Sequence, residues 1–114
     1  MSVLVIGSCN VDISVSTSTL PKIGQTVLGH EINYSFGGKG ANQAVACGKL
    51  GADVTFLSCV GSDEHGQKII DYLKSVNVKC ERIKVSSSKP TGTAIISLDS
   101  QGQNTIIVIA GANS

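Results

Sequence analysis

Residues 36–46 read Phe-Gly-Gly-Lys-Gly-Ala-Asn-Gln-Ala-Val-Ala, three glycines in four positions followed by small side chains. Glycine weakens the interior of a helix or strand and belongs where the backbone turns sharply or where something must approach the main chain closely. The segment therefore marks a junction. An alternating stretch from Thr26 to Tyr34 leads into it, and a small-residue helix from about Ala41 to Leu50 leads out. Gly51 stands where glycine commonly ends a helix. The chain must be built around this passage from strand through turn to helix.

The flanking segments fit an α/β arrangement. Ser2 to Ser8 (SVLVIGS) and Asp53 to Cys59 (DVTFLSC) are short, apolar, β-branched runs. They read as buried strands of a parallel sheet. Val11 to Ser18 alternates Val11, Ile13 and Val15 with polar residues, which predicts a strand with one wet face, paired with the Thr26–Tyr34 stretch. Ser62 is placed to cap a helix, with Asp63 and Glu64 at its positive end and Ile69, Ile70, Leu73 and Val76 at helical spacing. Cys80 to Val85 reads as a strand, and Thr93–Leu98 with Asn104–Ile109 as a hairpin around Asp99-Ser100-Gln101-Gly102. Two alternating pairs among parallel units suggest a sheet that projects from the main body and covers a site at strand ends.

Composition excludes several classes. A chain of 114 residues allows one domain. With 4% aromatic residues and no tryptophan, its core must be aliphatic. Nine basic and eight acidic residues are spread without a basic block, so neither nucleic acid nor a membrane surface is an expected partner. Val3–Ile6 is too short for the apolar region of a signal peptide, and no stretch approaches the roughly 18 apolar residues of a spanning helix. The expected location is cytoplasmic, with the nucleus open. Cys9, Cys47, Cys59 and Cys80 form no C-x-x-C pair, and His30 and His65 join no cluster, so the expectation is reduced thiols and no metal site.

Two segments carry polar groups suited to a ligand. In the glycine-rich junction, open backbone N–H groups and the start of a helix meet Lys39 and Asn42, whose donors and acceptor suit sugar hydroxyls. A tight turn without a ligand is the competing reading. The segment is neither a Walker A loop, since Asn33 and Gly40 occupy the places of glycine and Ser/Thr, nor a Rossmann fingerprint, since Gln43 stands where glycine is needed. The second segment is Gly7-Ser8-Cys9-Asn10-Val11-Asp12, at the C-terminal end of the first strand, where open α/β sheets bind ligands. In an extended chain Asn10 and Asp12 face the same side, a carboxylate acceptor beside an amide that donates and accepts. A solvated turn is the alternative there.

Taken together, Gly7-Ser8-x-Asn10-x-Asp12, GGKGANQA, Gly51 and Gly61 resemble the ribokinase-like (PfkB) carbohydrate kinase family. The spacing from Gly37 through Asn42, Ala44 and Gly51 to Gly61 is similar to its N-terminal signature without a gap. Ser62-Asp63-x-x-Gly66 and Thr91-Gly92-Thr93-Ala94 resemble further family segments. Asn10-x-Asp12, FGGKGANQAVA and Ala110-Gly111-Ala112-Asn113 most resemble the members that act on ribose. The resemblance implies the N-terminal part of a three-layer α/β sandwich with a projecting β-sheet lid, whose strands lie within 11–36 and 92–110. It implies sugar contacts from Asn10, Asp12, Gly38, Lys39 and Asn42 and a hinge at Gly37-Gly38. Ala94, Ile96 and Val108 match lid positions over the sugar, with plain strand packing as the competing reading. At least one of Gly37 and Gly38 is expected in a conformation open only to glycine.

The implied activity is ATP-dependent phosphorylation of D-ribose to D-ribose 5-phosphate, with Mg2+ and K+, in a homodimer formed through the lid strands. The family's catalytic aspartate follows Gly-Ala-Gly; here Ala110-Gly111-Ala112 is followed by Asn113. No catalytic base and no nucleotide-binding residue is therefore assigned, and the nucleotide-binding and catalytic portion is expected to be absent from these residues. A kinase for another sugar or a nucleoside, or a truncated non-catalytic ribose-binding or dimerising module, remains open at this stage.

Overall fold

The computed structural model describes residues 2–114. Chain order is β1 (Ser2–Ile6), β2 (Asn10–Thr17), β3 (Gly29–Gly37), α1 (Lys39–Lys49), β4 (Asp53–Gly61), α2 (Glu64–Ser75), β5 (Val78–Lys79), β6 (Ile83–Ser86), β7 (Gly92–Leu98) and β8 (Asn104–Ile109), followed by a 3-10 turn over Gly111–Asn113. These elements make two sheets. In the first, β1 and β4 pair in parallel, and β5 and β6 both add in parallel to the other edge of β4. In the second, the order is β3-β2-β7-β8, with a parallel pairing between β2 and β7 and antiparallel pairings outside it.

Alternation along the strands decides what the first sheet covers. Val5, Val54, Phe56 and Val60 face α1 and α2 and pack with Ala41, Ala44, Ile69 and Leu73 into one largely aliphatic core, with Phe36 packed against it. On the opposite face Leu4 and Ile6 remain 59% and 67% exposed, and Leu4 lines an open cleft of about 500 Å3 that reaches Thr55, Leu57 and Arg82. Both helices therefore lie on one side of this sheet, giving two of the three expected layers within these residues. Cys9 lies in the core, its thiol against Ser58 Oγ at 3.4 Å, and all four cysteines are free thiols.

Three local expectations need correction. The strand expected over Cys80–Val85 is interrupted: β5 ends at Lys79, a turn closes from the Ile83 N–H to the Cys80 carbonyl (3.0 Å), and β6 resumes at Ile83. Four steps from Lys79 to Ile83 span only three on β4, from Thr55 to Ser58, so the extra residue must bulge out. The cap of α2 is Asp63, not Ser62: Asp63 is extended, and its Oδ1 accepts the Gly66 N–H at 2.8 Å. Strand β3 begins at Gly29 and runs on to Gly37, directly into α1, which starts at Lys39. The β7–β8 hairpin matches expectation, its tip closed by Asp99 Oδ1 accepting from the Gln101 and Gln103 N–H groups.

Candidate functional site

The second sheet sorts the predicted residues by register. Its rows run across the strands as Gly37–Asn10–Gly92, then Ser35–Asp12–Ala94–Val108, then Asn33–Ser14–Ile96–Ile106. Paired residues share a face, so Asn10, Asp12, Gly37, Ala94, Ile96 and Val108 all lie on one side of this sheet. The opposite side carries Val11, Tyr34 and Phe36, which pack toward α2: the Phe36 and Tyr72 rings are 5.3 Å apart and the Tyr34 and His65 rings 6.3 Å. That packing turns the Asn10–Asp12 face away from α2.

The Gly37-Gly38 turn brings α1 to the edge of this face. Gly38 has φ 96° and ψ 139°, a region closed to other residues, whereas Gly37 is an ordinary strand residue. A β-carbon on Gly38 would lie 2.7 Å from the Ser8 carbonyl oxygen and 2.9 Å from the Cys9 α-carbon. The turn is thus pressed against the β1–β2 connection, where the Ala41 N–H donates to the Ser8 carbonyl at 3.0 Å. The ends of β1 and β3 and the start of α1 meet at one place. Lys39 and Asn42 are both exposed on the first turn of α1. Asn42 also borders a small cleft with Phe36, Val45 and Tyr72.

Asp12 is half-buried, and burial lifts its carboxyl above the usual carboxylate range. Gly37 leaves the space that the Asp12 carboxylate occupies. Among the described residues the carboxylate has no hydrogen-bond or ion-pair partner, so its lone pairs are open to hydroxyl donors. Asn10 is different. Its Oδ1 accepts from Asn113 Nδ2 at 2.8 Å, and Asn113 also donates to the Cys9 carbonyl (3.1 Å) and accepts the Cys9 N–H (3.2 Å). Nothing local in the sequence marks Asn113 for this contact, which spans 103 residues.

Two further polar residues had no site assignment. Thr91, 1% exposed, donates its N–H to Asp63 Oδ2 at 2.9 Å, its hydroxyl bonds Asp63 Oδ1, and its Oγ1 accepts the Gly61 N–H at 2.9 Å. For Asp63, burial acts to raise the carboxyl, but the hydrogen bonds from Thr91 and Gly66 outweigh it and hold the group below the usual range. This knot ties the end of β4 and the start of α2 to the start of β7. The only signal in the sequence was the Ser62-Asp63-x-x-Gly66 and Thr91-Gly92 segments; their contact across 28 residues had none.

Comparison with known proteins identifies the family and the fold. The family model described as pfkB family carbohydrate kinase matches residues 1–114. The chain is 44% identical over 112 residues to a ribokinase of Mus musculus, covering 98% of this chain and 35% of the relative, and 43% identical over 112 residues to a ribokinase of Bacillus subtilis, covering 98% and 38%. The structure of Arabidopsis thaliana ribokinase complexed with ribose and ATP superposes with a TM-score of 0.91 at 39% identity, over 96% of this chain and 36% of that one. The chain spans about a third of the length of the relatives it matches. Its two-sheet fold, its glycine junction and a match along its full length place it in the pfkB family of carbohydrate kinases.

Proposed function

We propose that this chain carries the sugar-binding face of an ATP-dependent D-ribose kinase that forms D-ribose 5-phosphate. The observation that carries the reading is the single sheet face that holds Asn10, Asp12, Ala94, Ile96 and Val108, with an open carboxylate at its base. Asp12 accepts from sugar hydroxyls, Asn10 binds beside it, and Gly38, Lys39 and Asn42 contribute from the start of α1. Ala94, Ile96 and Val108 cover the sugar and exclude water. The β3-β2-β7-β8 sheet is the lid in this reading, hinged at Gly37-Gly38. Its support is the positive φ of Gly38 at the join between lid strand and helix.

The chain's share of catalysis is placement. Fixing the sugar so that one hydroxyl lies in line with the transferring phosphate removes much of the entropic barrier. ATP, with Mg2+ and K+, belongs to this reading, and the proton of the reacting hydroxyl is taken by a base outside these residues. Among the described residues no three His, Cys, Asp or Glu side chains gather as metal ligands, and no residue here is assigned to these ions. The location we infer is the cytoplasm; among the described residues no helix is long and apolar enough to cross a membrane. Dimerisation through the lid is supported by β8, where Ile106, Ile107, Val108 and Ile109 are 47–65% exposed on an edge strand.

The test is kinetic. Asp12→Ala in the intact kinase is expected to raise the KM for ribose by about ten- to 150-fold, the equivalent of a hydrogen bond to a charged group, and to leave the KM for ATP within twofold. An unchanged ribose KM refutes the sugar contact. The 114 residues alone are expected to release no ADP with ribose and ATP, and ribose-dependent turnover by them would require a base assigned nowhere above.

A further inference from the structure

We infer that Asn113 is a positioning residue that fixes the orientation of the Asn10 amide, so that Asn10 turns its NH2 group to the ligand as a hydrogen-bond donor. The inference rests on the sugar-site reading above and adds a residue and a direction to it. Asn113 is on the 3-10 turn after β8, 103 residues from Asn10, and reaches the end of β1 because the Ala112 N–H donates to the Pro90 carbonyl at 2.7 Å.

The orientation of both amides follows from donor and acceptor counting. Cys9 has one main-chain donor and one acceptor, and Asn113 meets both: Oδ1 accepts the Cys9 N–H at 3.2 Å and Nδ2 donates to the Cys9 carbonyl at 3.1 Å. Turning the Asn113 amide over would oppose like groups at both contacts, so it is pinned. Its remaining Nδ2 hydrogen points to Asn10 Oδ1 at 2.8 Å. The Asn10 amide must then present oxygen to Asn113 and NH2 to the other side. Gly92 makes room for the pair, since a β-carbon there would run into Asn113 Nδ2 and come within 2.6 Å of Asn10 Oδ1.

The consequence is a polar pattern. Asp12, as a carboxylate, only accepts, and Asn10, so held, turns its NH2 outward and donates. The pair suits a ligand edge that donates at one position and accepts at the next, as adjacent sugar hydroxyls do. Because Asn113 lies on the 3-10 turn just after β8, the same contact also ties the last strand of the second sheet to the base of the site.

The experiment is a double-mutant cycle on the intact kinase, with ribose as the titrated ligand and ATP kinetics alongside. Asn10→Ala, Asn113→Ala and the double variant are compared for ribose KM, kcat and thermal midpoint. Asn113→Ala is expected to raise the ribose KM about three- to tenfold, the equivalent of one neutral hydrogen bond, with ATP KM unchanged. In the Asn10→Ala background it is expected to add less than about twofold, because its effect passes through Asn10. The isosteric Asn113→Asp keeps an acceptor for the Cys9 N–H but removes the donors to Asn10 and to the Cys9 carbonyl, and is expected to lose ribose affinity at least as strongly as the alanine; the thermal midpoint of each variant separates a folding defect from a binding one. If Asn10→Ala weakens ribose while Asn113→Ala and Asn113→Asp do not, or if the effects simply add, the positioning role is overturned and the sugar site stands. If Asn10→Ala leaves ribose KM unchanged, the sugar-site reading fails and this inference with it.

Discussion

A methyl group at Gly37 tests the site without replacing a ligand-binding side chain. Gly37 has an ordinary strand backbone, so Gly37→Ala brings no conformational strain. The three atoms nearest its new β-carbon would all belong to one side chain: Asp12 Oδ2, in outright collision, Asp12 Cγ at 3.1 Å and Asp12 Oδ1 at 3.2 Å. The carboxylate is the far end of a rotatable side chain and can swing aside. Doing so off its preferred rotamer costs about 0.5–1.5 kcal/mol of fold stability. The loss in ligand binding is larger, because a displaced carboxylate forfeits a charged hydrogen bond of about 1.5–3 kcal/mol, or about ten- to 150-fold in ribose affinity. Calorimetric titration of ribose and a thermal melt on the same variants separate the two quantities. The decisive comparison is Gly37→Ala in an Asp12→Ala background, where the obstructing atoms are gone and the added methyl is expected to change ribose affinity by less than about twofold. Full, additive loss in that background, or wild-type ribose binding by Gly37→Ala, would refute the placement of Asp12 as the group behind the effect.

Gly38→Ala is expected to act on the fold itself. Its φ of 96° costs a side chain about 1–3 kcal/mol, and the obstacles at 2.7 and 2.9 Å are main-chain atoms that cannot swing away; a chemical denaturation midpoint equal to wild type would contradict this. For Asp63, the folded carboxyl lies below its unfolded value, so its stabilisation is present above the unfolded pKa, about 3.9, and is lost as pH falls through the folded one. Asp63→Asn should flatten the acid limb of stability below about pH 4, measured against Asp53→Asn, since the Lys79 ammonium at 2.7 Å shifts Asp53 in the same direction. Ile107→Lys, on the exposed edge strand β8, is expected to reduce self-association by sedimentation velocity while leaving the melt within a few degrees; an unchanged distribution would remove β8 from the interface.

Much of this protein is determined locally and can be read from the sequence. Runs such as Val3–Ile6 and Val54–Leu57 form strands because β-branched and aliphatic residues favour that backbone, and Asp99–Gly102 turns because aspartate and glycine satisfy a tight hairpin. The glycine junction was legible for the same reason: only glycine tolerates φ 96°, and its place between strand and helix is written in the sequence. Asn10 and Asp12, two apart on one strand, share a face by the period of two alone. What only the tertiary structure decided depends on contacts between distant residues. The register of β2 against β7 sets Asp12 beside Ala94, and that of β7 against β8 sets Ala94 beside Val108; shifting either pairing by one residue would send the row to the other face. The break at Cys80–Arg82 follows from a count of residues against β4, not from any helix- or strand-breaking residue within it. The partners of the buried polar groups are likewise non-local. Thr91 reaches Asp63 across 28 residues and Asn113 reaches Asn10 across 103, because a polar group removed from water must bond whatever the fold brings within about 3 Å, wherever that group lies in the sequence.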